Sequence, residues 1–205
     1  MLRSTVLSLA LLSCFAGLGY SRDVVTTFED EPEYDTPVGV KGDILFSGFT
    51  VAENILNQDG GVAALARLPV NGDSDAPSLE IIYPDSTVES FQPQELSFGC
   101  LVDLPVTDTA PMMCKIRFTP YTKVTNPDGS ESFQALATKE VESFPGVNTS
   151  DGLTKVTFDS STPISRLVIS ISDANEFLAN LLTSMGGEAH TSILINEIKY
   201  SVVDK

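Results

Sequence analysis

The sequence has no tryptophan and only one histidine, His190. A single histidine rules out any site that needs two, such as an H-E-x-x-H zinc pair. The missing tryptophan argues against the flat aromatic platform of a cellulose-type binder. Basic residues are also scarce, 12 Lys and Arg against 28 Asp and Glu, for a formal net charge of -16. Such a surface repels phosphate backbones and anionic lipid, which argues against nucleic acid and anionic membranes as partners. Neutral ligands, cations and cationic partners remain open. There is no G-x-S-x-G elbow, P-loop or G-x-G-x-x-G fingerprint. A serine triad could recruit His190 in space, but no local motif supports one, and the residue reads as an exposed loop histidine just ahead of a strand. Paired carboxylates, the requirement for glycoside hydrolysis, are too abundant here to single out any two. No catalytic residue is assigned.

The N-terminus carries an apolar run from Val6 to Leu18 behind Arg3, followed by Gly19-Tyr20-Ser21. This is the pattern of a secretory signal peptide, with cleavage expected after Ser21 or, alternatively, after Gly19. A membrane span needs about 20 apolar residues, and this run ends too early. Residues 1–21 are therefore expected to be a removed signal and 22–205 a single domain, secreted, with no membrane anchor.

Cys14 leaves with the signal, so Cys100 and Cys114 remain as a pair in an oxidising compartment, where a disulfide is expected. A two-cysteine metal site is the rival, but His190 is distant in sequence and no other soft ligand exists. The bridge closes a loop of about 15 residues, worth roughly 3 kcal/mol in the chain-entropy account.

From Val24 onward, short runs rich in β-branched and aromatic residues alternate with Gly, Pro, Asn and Asp, which is strand punctuation. Leu96, Phe98, Cys100 and Val102 share one face at period two, as do Cys114, Ile116 and Phe118, with Lys115, Arg117 and Thr119 opposite. A hairpin stapled across its inner face is expected from these two runs. A second hairpin is expected at Asn126-Pro127-Asp128-Gly129. Nine or ten strands predict an all-β, antiparallel two-sheet sandwich. One short helix is expected near the C-terminus over 174–185, where Asp173 and Glu176 have capping-box spacing and Gly186-Gly187 stops the run.

Asn71-Gly72-Asp73-Ser74-Asp75 opens like an EF-hand loop, but Ala76 holds its glycine position and Ile82 its glutamate position, so that reading fails. Asn148-Thr149-Ser150 is a glycosylation sequon between Pro-Gly and Asp-Gly turns, which predicts a glycoprotein.

Thr27-Phe28-Glu29-Asp30, Phe46-Ser47-Gly48-Phe49, the stapled pair Phe98-Gly99-Cys100 and Cys114-Lys115-Ile116, and the ending Ile195-Asn196-Glu197-Ile198-Lys199-Tyr200 resemble short motifs of small secreted proteins from filamentous fungi. Those proteins have a jelly-roll, galactose-binding-like sandwich. The resemblance implies a jelly-roll fold and a structural calcium between the first and last strands, for which it nominates Glu29, Asp30 and Glu197. The expected function is non-catalytic binding of a glycan or cell-wall component through loops 54–61, 69–77 and 103–112. The alternatives are a secreted effector that binds an extracellular protein, and an enzyme or accessory protein that acts on a small secreted molecule.

Overall fold

Short runs rich in β-branched and aromatic residues give 13 strands in the computed structural model, which describes residues 20–31, 33–57, 60–68, 76–103, 110–144, 152–159, 162–173 and 190–205. They are β1 (Ser21–Thr27), β2 (Pro37–Lys41), β3 (Ile44–Glu53), β4 (Val62–Leu68), β5 (Ser78–Glu80), β6 (Val88–Asp103) and β7 (Ala110–Met112). The remaining six are β8 (Cys114–Thr125), β9 (Glu131–Ala135), β10 (Lys139–Ser143), β11 (Thr154–Thr157), β12 (Arg166–Asp173) and β13 (His190–Asp204). All pairings are antiparallel, and there is no helix among the described residues. The helix expected over 174–185 lies outside the described residues.

The strands form one hydrogen-bonded network in the order β10-β8-β12-β5-β3-β4-β13-β6-β11. The hinge is β3, whose first half (Leu45–Ser47) pairs with β5 while Thr50–Glu53 pairs with β4. Gly48 sits between these halves at φ 78°, backed by Pro77, where an L side chain would be strained. The network therefore has two arms on either side of β3, and side chains from the two meet in the core. Phe98 on β6 and Phe118 on β8 lie at opposite ends of the strand order, yet their rings meet edge to face at 5.5 Å. The outer strands also meet through side chains. Thr154 Oγ1 and Ser143 Oγ lie 3.0 Å apart, and Lys139 donates to the Thr157 carbonyl.

The space between the arms is filled by side chains with no solvent exposure, among them Phe28, Phe91, Phe98, Phe118, Leu96, Leu167 and Tyr200. Burying each such side chain contributes about 1.5–3 kcal/mol. A smaller cluster of Ala63, Leu101, Leu153 and Leu194, with Leu56 and Leu65 against it, lies apart from this core.

The disulfide joins Cys100 and Cys114 with a Cα separation of 6.1 Å, an ordinary span for a bridge. Its setting corrects the expected hairpin. Cys100 pairs with Met112 of β7 and Ile193 of β13, whereas Cys114 pairs with Ser143 of β10. The two half-cystines thus belong to different arms, and the bridge ties one arm to the other. The short β7 uses the ladder position on β6 that the expected hairpin partner would have taken. The hairpin at Asn126–Gly129 is present, with Gly129 at φ 81° and its N–H bonded to the Asn126 carbonyl at 2.9 Å. A hairpin without a sequence expectation joins β2 to β3 through Gly42 and Asp43, both at positive φ (57° and 68°), as a two-residue I′ turn demands.

Candidate functional site

Strand β8 runs from the disulfide at Cys114 to Lys123, nine residues on, a distance of roughly 30 Å at the usual rise. At that far end the arms part around an open groove of about 320 Å³. Its lining follows from local sequence. Leu79 and Ile81 point into the core, so the period of two turns Ile82 outward, where it is exposed. Ser86 N–H bonds the Tyr83 carbonyl to close a turn that Pro84 presets and Asp85 completes at φ 64°. That turn presents Tyr83 and Pro84 to the groove, with the Tyr83 hydroxyl donating to the Asp43 carbonyl at 3.2 Å. Val88 and Glu89 enter from the start of β6.

Ser165 knits the rim together. Its carbonyl accepts from Ile81 N–H, its N–H donates to the Tyr121 carbonyl, and its Oγ accepts from Lys123 N–H at 3.2 Å. Lys205 closes the opposite side, its N–H bonded to the Thr87 carbonyl and its ammonium to the Ser86 carbonyl. The lining thus combines the exposed Ile82, with buried Ile81 and Val88 behind it, one tyrosine, two lysines and the Glu89 carboxylate. Lys123 shares its charge with Glu131 at 2.6 Å. Beside the groove, burial pushes the Glu80 carboxyl up, with Arg166 at 3.5 Å opposing the shift.

Among the described residues, none from the loops expected to bind forms this lining. In the loop 54–61, residues 54–57 are held by Asn54, whose side chain donates to Asn196 at 3.0 Å and accepts from Leu56 N–H, while Leu56 packs over Gly99. Asn196 reaches this position because β13 bulges there, between Ile195 and Glu197. Most of loops 69–77 and 103–112, and Asn148, lie outside the described residues. His190 opens β13 opposite Asp103 instead of preceding the strand, which puts it at the disulfide end, away from the groove.

The three carboxylates nominated for calcium take separate partners. Glu29 accepts a long contact from Val62 N–H, Asp30 pairs with Lys41, and Glu197 lies 3.2 Å from Lys199. Among the described residues no three His, Cys, Asp or Glu side chains converge as a metal site would require. The groove itself had one signal in the sequence, the run Leu79-Glu80-Ile81-Ile82-Tyr83, in which alternation obliges Ile82 to face solvent beside an aromatic residue.

No family model matches the sequence, and no curated protein matches it. Among solved structures, the chain is similar to the CBM22-1–GH10 modules of Clostridium thermocellum endo-1,4-β-D-xylanase 10B, crystallised with xylohexaose. The identity is 14% and the TM-score 0.36, over 89% of this chain and 28% of that one. At that level the groove must be interpreted from its own lining.

Proposed function

We propose that the protein is a secreted, non-catalytic β-sandwich of jelly-roll type that binds a segment of a neutral glycan or cell-wall polysaccharide in the groove at the Lys123 end of β8. The observation that carries this reading is the contrast between the groove and the whole molecule. A net charge of -16 disfavours the approach of polyanions. Around the groove the charges offset one another, Lys123 being paired with Glu131 and the lining holding Glu89 as well as Lys205, so nothing there selects a charged ligand. A neutral molecule with an apolar ring face and a hydroxyl rim suits both conditions, and Ile82 and Tyr83 supply the matching surface. Secretion belongs to the same proposal, supported by the N-terminal apolar run and by a disulfide, which persists in oxidising compartments.

The test is binding of the purified mature chain to xylan, β-glucan, mannan and chitin, with polygalacturonate as an anionic control. Saturable binding to a neutral polymer, weakened about tenfold by Tyr83→Ala, is the expected result. Tight binding to the anionic control alone would overturn the charge argument. Binding to none would move the reading to an extracellular protein partner. Because Glu29, Asp30 and Glu197 are remote from this lining, a chelator should leave the binding unchanged.

A further inference from the structure

We infer that the groove is the head of a longer platform, so that the ligand is a chain of several sugar units and not a single terminal sugar; this rests on the groove reading above. Lys123 lines the groove, and its cross-strand partner on β9 is Phe133. Directly opposed residues of an antiparallel pair project from the same face with their Cβ atoms about 5 Å apart. Phe133 is 46% exposed, so an aromatic side chain is open to solvent immediately beside the groove wall. Tyr121, two residues before Lys123 on β8, shares that face and is half-buried. Adjacent strands lie about 4.8 Å apart. A ligand leaving the groove over Lys123 therefore meets Phe133 one strand further out. The β8–β9 turn fixes this arrangement, since Asn126 donates its backbone N–H to the Ser130 carbonyl and its side-chain amide to the Ser130 hydroxyl, and Asp128 accepts from both the N–H and the hydroxyl of Ser130. The platform is thus held on a closed hairpin.

The experiment is calorimetric titration of the mature chain with two-, four- and six-unit oligomers of β-1,4-linked glucan, xylan and mannan. At least one series should bind, with the hexamer about tenfold tighter than the dimer. In Phe133→Ala the hexamer and dimer affinities should converge, while Phe133→Tyr retains the gain. Circular dichroism checks that both variants are folded. Binding with equal affinity at every length, or a gain that survives Phe133→Ala, would overturn the platform and leave the groove reading standing. No binding of any oligomer would overturn both.

Discussion

The two ends of β8 are fastened by different means. At Cys114 the strand is covalently joined to β6, and beside it Glu140 gathers Lys115, Arg117 and Ser172 around one carboxylate. At Lys123 the fastening is hydrogen bonding that uses mostly main-chain groups, through the carbonyl, N–H and Oγ of Ser165 and through the N–H and ammonium of Lys205. The difference has a functional meaning. At the first end side chains are used up, in the bridge between the arms and in the ionic cluster on β8, whereas at the second the arms meet through the backbone bridge of Phe91 with Ile164, which leaves Ile82 and Phe133 exposed.

The sharpest way to break this comparison is to remove the bridge. Replacing both Cys100 and Cys114 by alanine should destabilise the fold by about 3 kcal/mol in urea unfolding. Glycan binding under native conditions should persist, because the groove lies roughly 30 Å along the strand. Loss of binding by a variant still folded would mean that the two ends are coupled.

Next in size is a pair of glycine variants. Tyr200, fully buried, donates to the Gly42 carbonyl at 2.6 Å and shares a hydrogen bond with Thr26. A Cβ on Gly42 would collide with that hydroxyl and come within 2.5 Å of Thr26 Oγ1, at a φ of 57°. Gly42→Ala should therefore cost about 2–3 kcal/mol, from the left-handed strain and a disrupted buried bond. Gly39, at φ 68° with open space around it, should cost about 1 kcal/mol when changed to alanine. Equal losses would show that the tyrosine clamp contributes nothing. The same clamp has a signature in alkali. Burial pushes the Tyr200 phenol up to about 12, so the unfolded chain ionises first, and stability should fall as pH rises from 10 toward 12. Tyr200→Phe should lessen that fall, as thermal melts across this range would show.

At the groove, Ser165→Ala leaves the Lys123 N–H without its hydroxyl partner. About 1 kcal/mol of stability should be lost, together with part of the glycan affinity. Unchanged affinity would mean that Ser165 holds the strands without shaping the site.

Much of this was legible in the sequence wherever a local rule decides the outcome. Period-two alternation placed Leu96, Phe98, Cys100 and Val102 on the buried side, and Pro127 with Gly129 specified the β8–β9 turn. What escaped depends on which strands become neighbours. Nothing local distinguishes a half-cystine that pairs across a hairpin from one that bridges two arms, because both cysteines face inward in either case. The short β7 is only three residues long, too few to show a period. The groove is drawn from five separated segments, so its residues have no common spacing. The acids named for calcium were chosen by proximity of first and last strands, and those strands do pair, with Thr27 opposite Glu197. Lys199, two residues on from Glu197 along β13, shares its face and was legible by the two-residue period, whereas the approach of Lys41 to Asp30 depends on where β2 comes to lie.

The smallest effect concerns whether the disulfide end has a second fastening at all. The Ser172 hydroxyl, then Arg117 and Lys115, hold the Glu140 carboxyl down at about 2, against an ordinary value of 4.5. The folded state favours the ionised form, so its contribution is present above pH 4.5 and is lost as pH falls toward 2. The group is solvent-exposed, which makes the contribution small and sensitive to salt. Glu140→Gln should therefore be slightly less stable than the parent at pH 7 in low salt. It should also lose less stability on acidification through that window, so that the two urea-unfolding curves converge near pH 2. If the curves stay parallel between pH 7 and pH 2, the carboxylate contributes nothing to holding β8 between β10 and β12. The covalent bridge would then be the one effective fastening among those considered at that end of β8.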